Sequence, residues 1–135
     1  MRKLLTVFVA ALALLPLSDF AGAIPPGPSQ VRMVGRLESK EDNTRTFGLY
    51  SASYKGRIGT EVLACGSQKT WRICRDFIRT PRGTLVAQGI VPFSSRFVVL
   101  GVLGGTGIYS NAGGTLTLVT RSATQQQIVG HLEGF

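Results

Sequence analysis

Apolar and polar residues alternate along most of the chain beyond residue 30. Val31, Met33, Gly35 and Leu37 fall on one face, and Arg32, Arg36 and Glu38 on the other, with Val34 the exception. A period of two is that of a strand with one buried and one wet face. Similar runs, rich in Val, Ile, Thr, Phe and Tyr and punctuated by turn residues, continue to the C-terminus. They predict eight strands, near 31–39, 44–53, 57–65, 71–80, 84–93, 95–103, 114–121 and 127–135. The segment 71–80 is the ambiguous one. Its arginines at 72, 75, 79 and 82 have helical spacing, whereas its β-branched and aromatic content favours a strand. The run 96–103 is apolar on both faces and so needs cover on both, for which a neighbouring subunit is one source. With no helix to cover a sheet, eight strands must stack as a sandwich or close on themselves. Closure at eight leaves an interior that side chains fill or that holds one small ligand.

Before the strands lies a different pattern. Arg2 and Lys3 precede an apolar run over 4–15, Pro16 breaks it, and Ala21-Gly22-Ala23 follows. These are the three parts of a secretory signal peptide, and the run is too short to span a bilayer. The alternative is an uncleaved N-terminal anchor. The expected organisation is a leader over 1–23, a stiff Pro-rich lead-in over 24–30 and one β-barrel domain over 31–135, secreted or periplasmic, with no membrane span after cleavage. In an oxidising compartment Cys65 and Cys74, either side of a polar turn-like segment, read as a disulfide across a hairpin; the alternative is two buried free thiols. Such a bond should stabilise by about 2–3 kcal/mol.

Composition sharpens this picture. Gly supplies 16 of the 112 residues after the leader, too many for a mostly helical domain. Basic residues outnumber acidic ones 15 to 7, but no nucleic-acid module accompanies them, so no nucleic-acid partner is expected. One His and no CxxC make a metal site improbable, and no cofactor is implied. The densest motif runs from Gly101 to Gly114 and contains Gly104, Gly105, Thr106 and Gly107. No Gly-Lys-Ser/Thr follows it, and it lacks the third glycine and βαβ setting of a dinucleotide fingerprint. It is expected to be a strand ending in a tight structural turn. Hydrolase elbows and zincin motifs are absent, and a triad would have only His131 and Asp76 to draw on.

Gly83-Thr-Leu-Val-Ala-Gln-Gly-Ile-Val-Pro-Phe93, followed by the apolar strand that enters Gly104-Gly-Thr-Gly-Ile-Tyr109 and Ala112, resembles the allene oxide cyclase/dirigent barrel superfamily. The resemblance covers about 83–135 and extends more weakly back to the Cys65–Cys74 hairpin, which is similar to that of secreted bacterial members. It implies an all-β, eight-stranded antiparallel barrel with an apolar central cavity, often trimeric. Its plant members cyclise an unsaturated fatty-acid epoxide or steer the coupling of phenoxy radicals, and much of that catalysis is confinement of a reactive intermediate.

Three functions follow as expectations. In the first, the barrel binds a small apolar, phenolic or lipid-like molecule, with Tyr50, Tyr54, Trp71, Arg75 and Phe77 lining the site. The second is an isomerase (cyclase) or dirigent-type enzyme with Glu38 and Arg36 as its polar cavity groups. Glu38 is the carboxylate on the first strand proper, although Gly35-Arg-Leu-Glu-Ser39 does not reproduce the acidic motif of the cyclases. The third is a non-catalytic envelope protein that assembles through the doubly apolar strand, as a dimer or trimer.

Overall fold

The computed structural model describes residues 29–51 and 56–135. The expected leader, most of the Pro-rich lead-in and Tyr54 lie outside the described residues. The strands are β1 (Ser29–Glu41), β2 (Thr44–Ser51), β3 (Arg57–Ser67), β4 (Trp71–Thr80), β5 (Gly83–Pro92), β6 (Phe97–Gly105), β7 (Gly113–Ser122) and β8 (Gln125–Glu133). Each pairs antiparallel with the next, and β8 pairs with β1, which closes the sheet into a barrel. The one helical element among the described residues is a 3-10 turn, Gly107–Tyr109.

The segment 71–80 is a strand. Pairing with β3 on one side and β5 on the other overrides the spacing of its arginines. Cys74, Asp76 and Ile78 are buried on its inner face, while Arg75 and Arg79 are exposed on the outer. Met33, Leu49, Leu63, Leu85, Leu100, Leu116, Ile128 and Leu132 join Cys74 and Ile78 in one apolar core inside the barrel. Closure gives each strand a hydrogen-bonded neighbour on both sides, so the sheet has no edge strand.

The Gly-rich motif ends β6 as expected. Gly104 and Gly107 take φ of 113° and 60°. A Cβ on Gly105 would stand 1.8 Å from the carbonyl oxygen of Thr84. Thr106 locks the approach, its N–H donating to Thr84 O at 2.8 Å and its Oγ1 accepting from Thr84 N–H at 3.1 Å. Cys65 and Cys74 face each other across β3 and β4 and are disulfide-bonded.

One irregularity matters for the site. Along β1, Leu37 pairs with Phe47, but Ser39 pairs with Thr46 and Lys40 with Arg45. Glu38 is therefore an extra residue, a β-bulge that reverses the alternation of faces beyond it. Up to Leu37 the odd-numbered residues point inward; after the bulge Lys40 shares the inward position of Arg45.

The outer face of β6 is as apolar as its inner one. Phe97, Val99 and Leu103 are exposed, and with exposed Trp71, Ile73 and Ile90, of which Ile73 pairs with Ile90, they make an apolar outer wall over β4, β5 and β6.

Candidate functional site

Inside the apolar barrel lie three buried polar side chains, Glu61, Asp76 and Gln126. Glu61 is on β3 and Asp76 on β4. Glu61 pairs in register with Ile78, so the two carboxyls are diagonal neighbours on the inner wall. Gln126 reaches Glu61 from β8, on the far side of β1 and β2, and its Nε2 donates to both carboxyl oxygens at 2.6 Å. Gly35 makes that crossing possible. It faces inward on β1 between them, and a Cβ there would sit 3.1 Å from Gln126 Cγ and 3.2 Å from Glu61 Oε2.

Asp76 is less well served. Both its oxygens are buried, and no donor reaches either with hydrogen-bond geometry, the neighbouring Phe77 N–H included. A bond between the two acids forms only when one carries a proton. Burial, the Asp76 charge and that shared bond push the Glu61 carboxyl well above the usual carboxylate range, with Gln126 opposing. Burial likewise raises Asp76 to about 7, with Glu61 and the Phe77 amide beside it acting to lower it. The result is a carboxylic acid beside a group that exchanges its proton near neutrality. That is the electrostatic arrangement of an acid–base pair or of a polar anchor for a ligand.

The pair sits below an opening. At the end of the barrel bounded by the β1–β2 and β3–β4 turns is a recess of about 210 Å³, lined by Lys40, Asp42, Asn43, Arg45, Leu63, Cys65, Ser67 and Arg72. Leu63 is its floor, and Glu61 follows two residues deeper on the same face of β3. At the opposite end is a wider and shallower groove lined by Arg57, Ile58, Thr80, Pro81, Arg82 and Tyr109. No carboxylate lines it.

The residues expected to line the cavity are distributed differently. Glu38 is exposed on the outer wall at the bulge, in an ion pair of 3.0 Å with Arg57. Arg36 is also outside, its guanidinium stacked 4.4 Å over the ring of Tyr50. Arg75 faces out and donates to Gln88 Oε1. Phe77 shares that outer face, and Trp71, 39% exposed, lies on the rim. The structure brings Arg36 and Tyr50 together but places none of these six in the lumen. Residue parity is the reason: on β1, β2 and β4 these side chains sit at outward positions.

Glu61 and Gln126 were not anticipated, and Asp76 only as a remote triad partner. For Asp76 the signal was present. Cys74, Asp76 and Ile78 alternate with Arg75, Phe77 and Arg79, and the arginine face must be the wet one. For Glu61 there was none, because Ile58, Val62 and Ala64 make the opposite face of β3 just as apolar.

No family model matches the chain, and no curated protein matches it. Solved structures do. A pyocyanin demethylase superposes with a TM-score of 0.64 at 16% identity, over 77% of this chain and 99% of its own. A nonspecific heme-binding cyclase that catalyses a [4 + 2] cycloaddition gives 0.61 at 14% identity, over 82% and 66%. A pterocarpan synthase dirigent protein gives 0.57 at 10% identity, over 81% and 95%. The chain has the allene oxide cyclase/dirigent-type barrel fold. At these identities the likeness is one of fold, and function must be argued from the site.

Proposed function

We propose that the protein is an exported barrel that binds a small apolar or phenolic molecule through the mouth recess, with the Glu61–Asp76 pair as the polar anchor at its base. The observation that carries this reading is Asp76, two carboxyl oxygens buried without a donor in an apolar lumen. Burying an unpaired polar group costs stability, and such costs concentrate where a ligand or reaction needs the group. Leu63 covers the pair from above, so rotation of that side chain admits a ligand hydroxyl to Asp76.

A second reading uses the same atoms. A carboxylic acid beside a group that titrates near 7 can give a proton to a developing oxyanion and take one back, as an isomerase or cyclase requires. The disulfide fits an oxidising compartment outside the cytoplasm. No helix among the described residues is long and apolar enough to cross a membrane. The exposed apolar wall over β4–β6 supports self-association as a dimer or trimer.

The test is a fluorescence titration with 2-naphthol, a neutral phenol, on protein expressed as the full chain in an exporting host. We expect saturable binding that weakens about tenfold in Asp76→Leu, which has a similar branched shape but no acceptor. No binding, or equal binding by Asp76→Leu, would refute the anchor.

A further inference from the structure

The mouth of the barrel has chemistry of its own. Lys40, Arg45 and Arg72 converge on the recess from β1, β2 and β4, against Asp42 as the one carboxylate in its lining. None of the three cations is ion-paired among the described residues, where the ion pair present is Arg57–Glu38 on the outer wall. Arg72 Nε is buried and donates to nothing, although its guanidinium also lies 5.9 Å over the ring of Phe93. An arginine donor removed from water without an acceptor lacks the partner that most buried N–H groups have.

The placement of these charges depends on backbone irregularity as well as on composition. Lys40 reaches the mouth because the extra residue at Glu38 turns it inward opposite Arg45. Arg45 pairs with Leu63, and Leu63 with Asp76, so the backbones of Arg45 and Asp76 are two strand spacings apart, about 10 Å. Leu63 supplies the apolar surface between them.

From this we infer that the mouth is an oxyanion site, in which Arg72, Arg45 and Lys40 hold the anionic group of a small molecule whose apolar body rests on Leu63. This rests on the ligand-binding reading above and adds to it the charge of the ligand. Arg72 Nε and the planar Arg45 guanidinium suit a carboxylate or phosphate monoester, which accepts two donors at once. Lys40 adds a point charge at the rim.

The experiment compares 2-naphthoate with neutral 2-naphthamide of nearly the same shape, and with inorganic phosphate alone. The arginine Nε–H resonances of isotopically labelled protein, assigned through Arg45→Gln and Arg72→Gln, report occupancy of the mouth. The expected result is saturable movement of the Arg72 resonance by naphthoate, at least tenfold weaker binding of naphthamide, and a loss of about tenfold in each Arg→Gln variant. Arg72→Lys should recover part of that loss. Elevated salt should weaken naphthoate and leave 2-naphthol unchanged. Phosphate binding as tightly as naphthoate would keep the oxyanion site and remove the apolar body from it. Equal binding of naphthoate and naphthamide would overturn the oxyanion site while leaving the ligand reading intact. If naphthoate moves Arg72 but 2-naphthol fails to bind, the mouth site stands and the Asp76 anchor falls. If no probe binds, both fall. Melting temperatures of the variants within a few degrees of the parent establish that they fold.

Discussion

Asp76 should make the protein lose stability as the pH rises, the reverse of the usual behaviour of a paired carboxylate. Its pKa goes from an ordinary 3.8 to about 7 in the folded barrel. Between those values the folded chain holds a proton that the unfolded chain has released. Stability is therefore fullest below about pH 4 and falls as the pH climbs towards 7. A difference of about three pH units at about 1.36 kcal/mol each gives a loss of about 4 kcal/mol by pH 8. Glu61, displaced in the same direction, adds to it. About two of those units fall between pH 5 and pH 8, a loss of about 3 kcal/mol; for a domain of this size about 1 kcal/mol corresponds to about 4 °C, so the melting temperature should drop by about 10 °C over that range. Thermal unfolding followed by circular dichroism, with the disulfide intact, measures it. A His131→Gln background leaves the slope to the carboxyls. Asp76→Asn should flatten the profile and raise stability at pH 8. A melting temperature that is constant or rises from pH 5 to 8, or an Asp76→Asn profile as steep as the parent's, would refute the reasoning.

Two further results are expected. Reduction of Cys65–Cys74, or the double replacement by Ser, should cost about 2–3 kcal/mol in denaturant unfolding at pH 6, because the bond closes a loop of nine residues' separation; an unchanged midpoint would show that strand pairing alone holds β3 to β4. Sedimentation of the full exported protein should show a dimer or trimer that Ile90→Lys with Val99→Lys converts to monomer, since both side chains lie on the exposed apolar wall; a parent that sediments as a monomer would leave that wall without a role in assembly.

The barrel was readable from the sequence because its strands repeat one simple alternation and its turns are marked by glycine. Segment 71–80 shows that even a misleading cue, arginines at helical spacing, yields when neighbouring strands offer edges to pair with. The site was harder to read because which face points inward is a collective property of the closed barrel. Glu38 looked like the first-strand acid of a cyclase, yet its even position beside inward Leu37 leaves it outside, bound to Arg57. The useful carboxyls come from β3 and β4. Of these, Asp76 was betrayed by the arginines beside it, whereas Glu61 lies on a strand whose two faces are equally apolar. Gly35 carried a faint signal: an inward glycine in an otherwise bulky row marks a place where something passes close, here the Gln126–Glu61 bridge.

The slip at Glu38 means that strand register, as well as residue identity, sets what the opening attracts. Were the same residues to pair without the bulge, Ser39 would stand opposite Arg45, Lys40 would turn to solvent and the rim would lose one positive charge, whereas deleting Glu38 removes the bulge and leaves Lys40 inward opposite Arg45. The layers below, from Leu49 and Leu63 downward, would keep their register. A barrel of this kind can set the charge of its lip by a local slip of register in one strand, while the interior that receives the visitor stays the same.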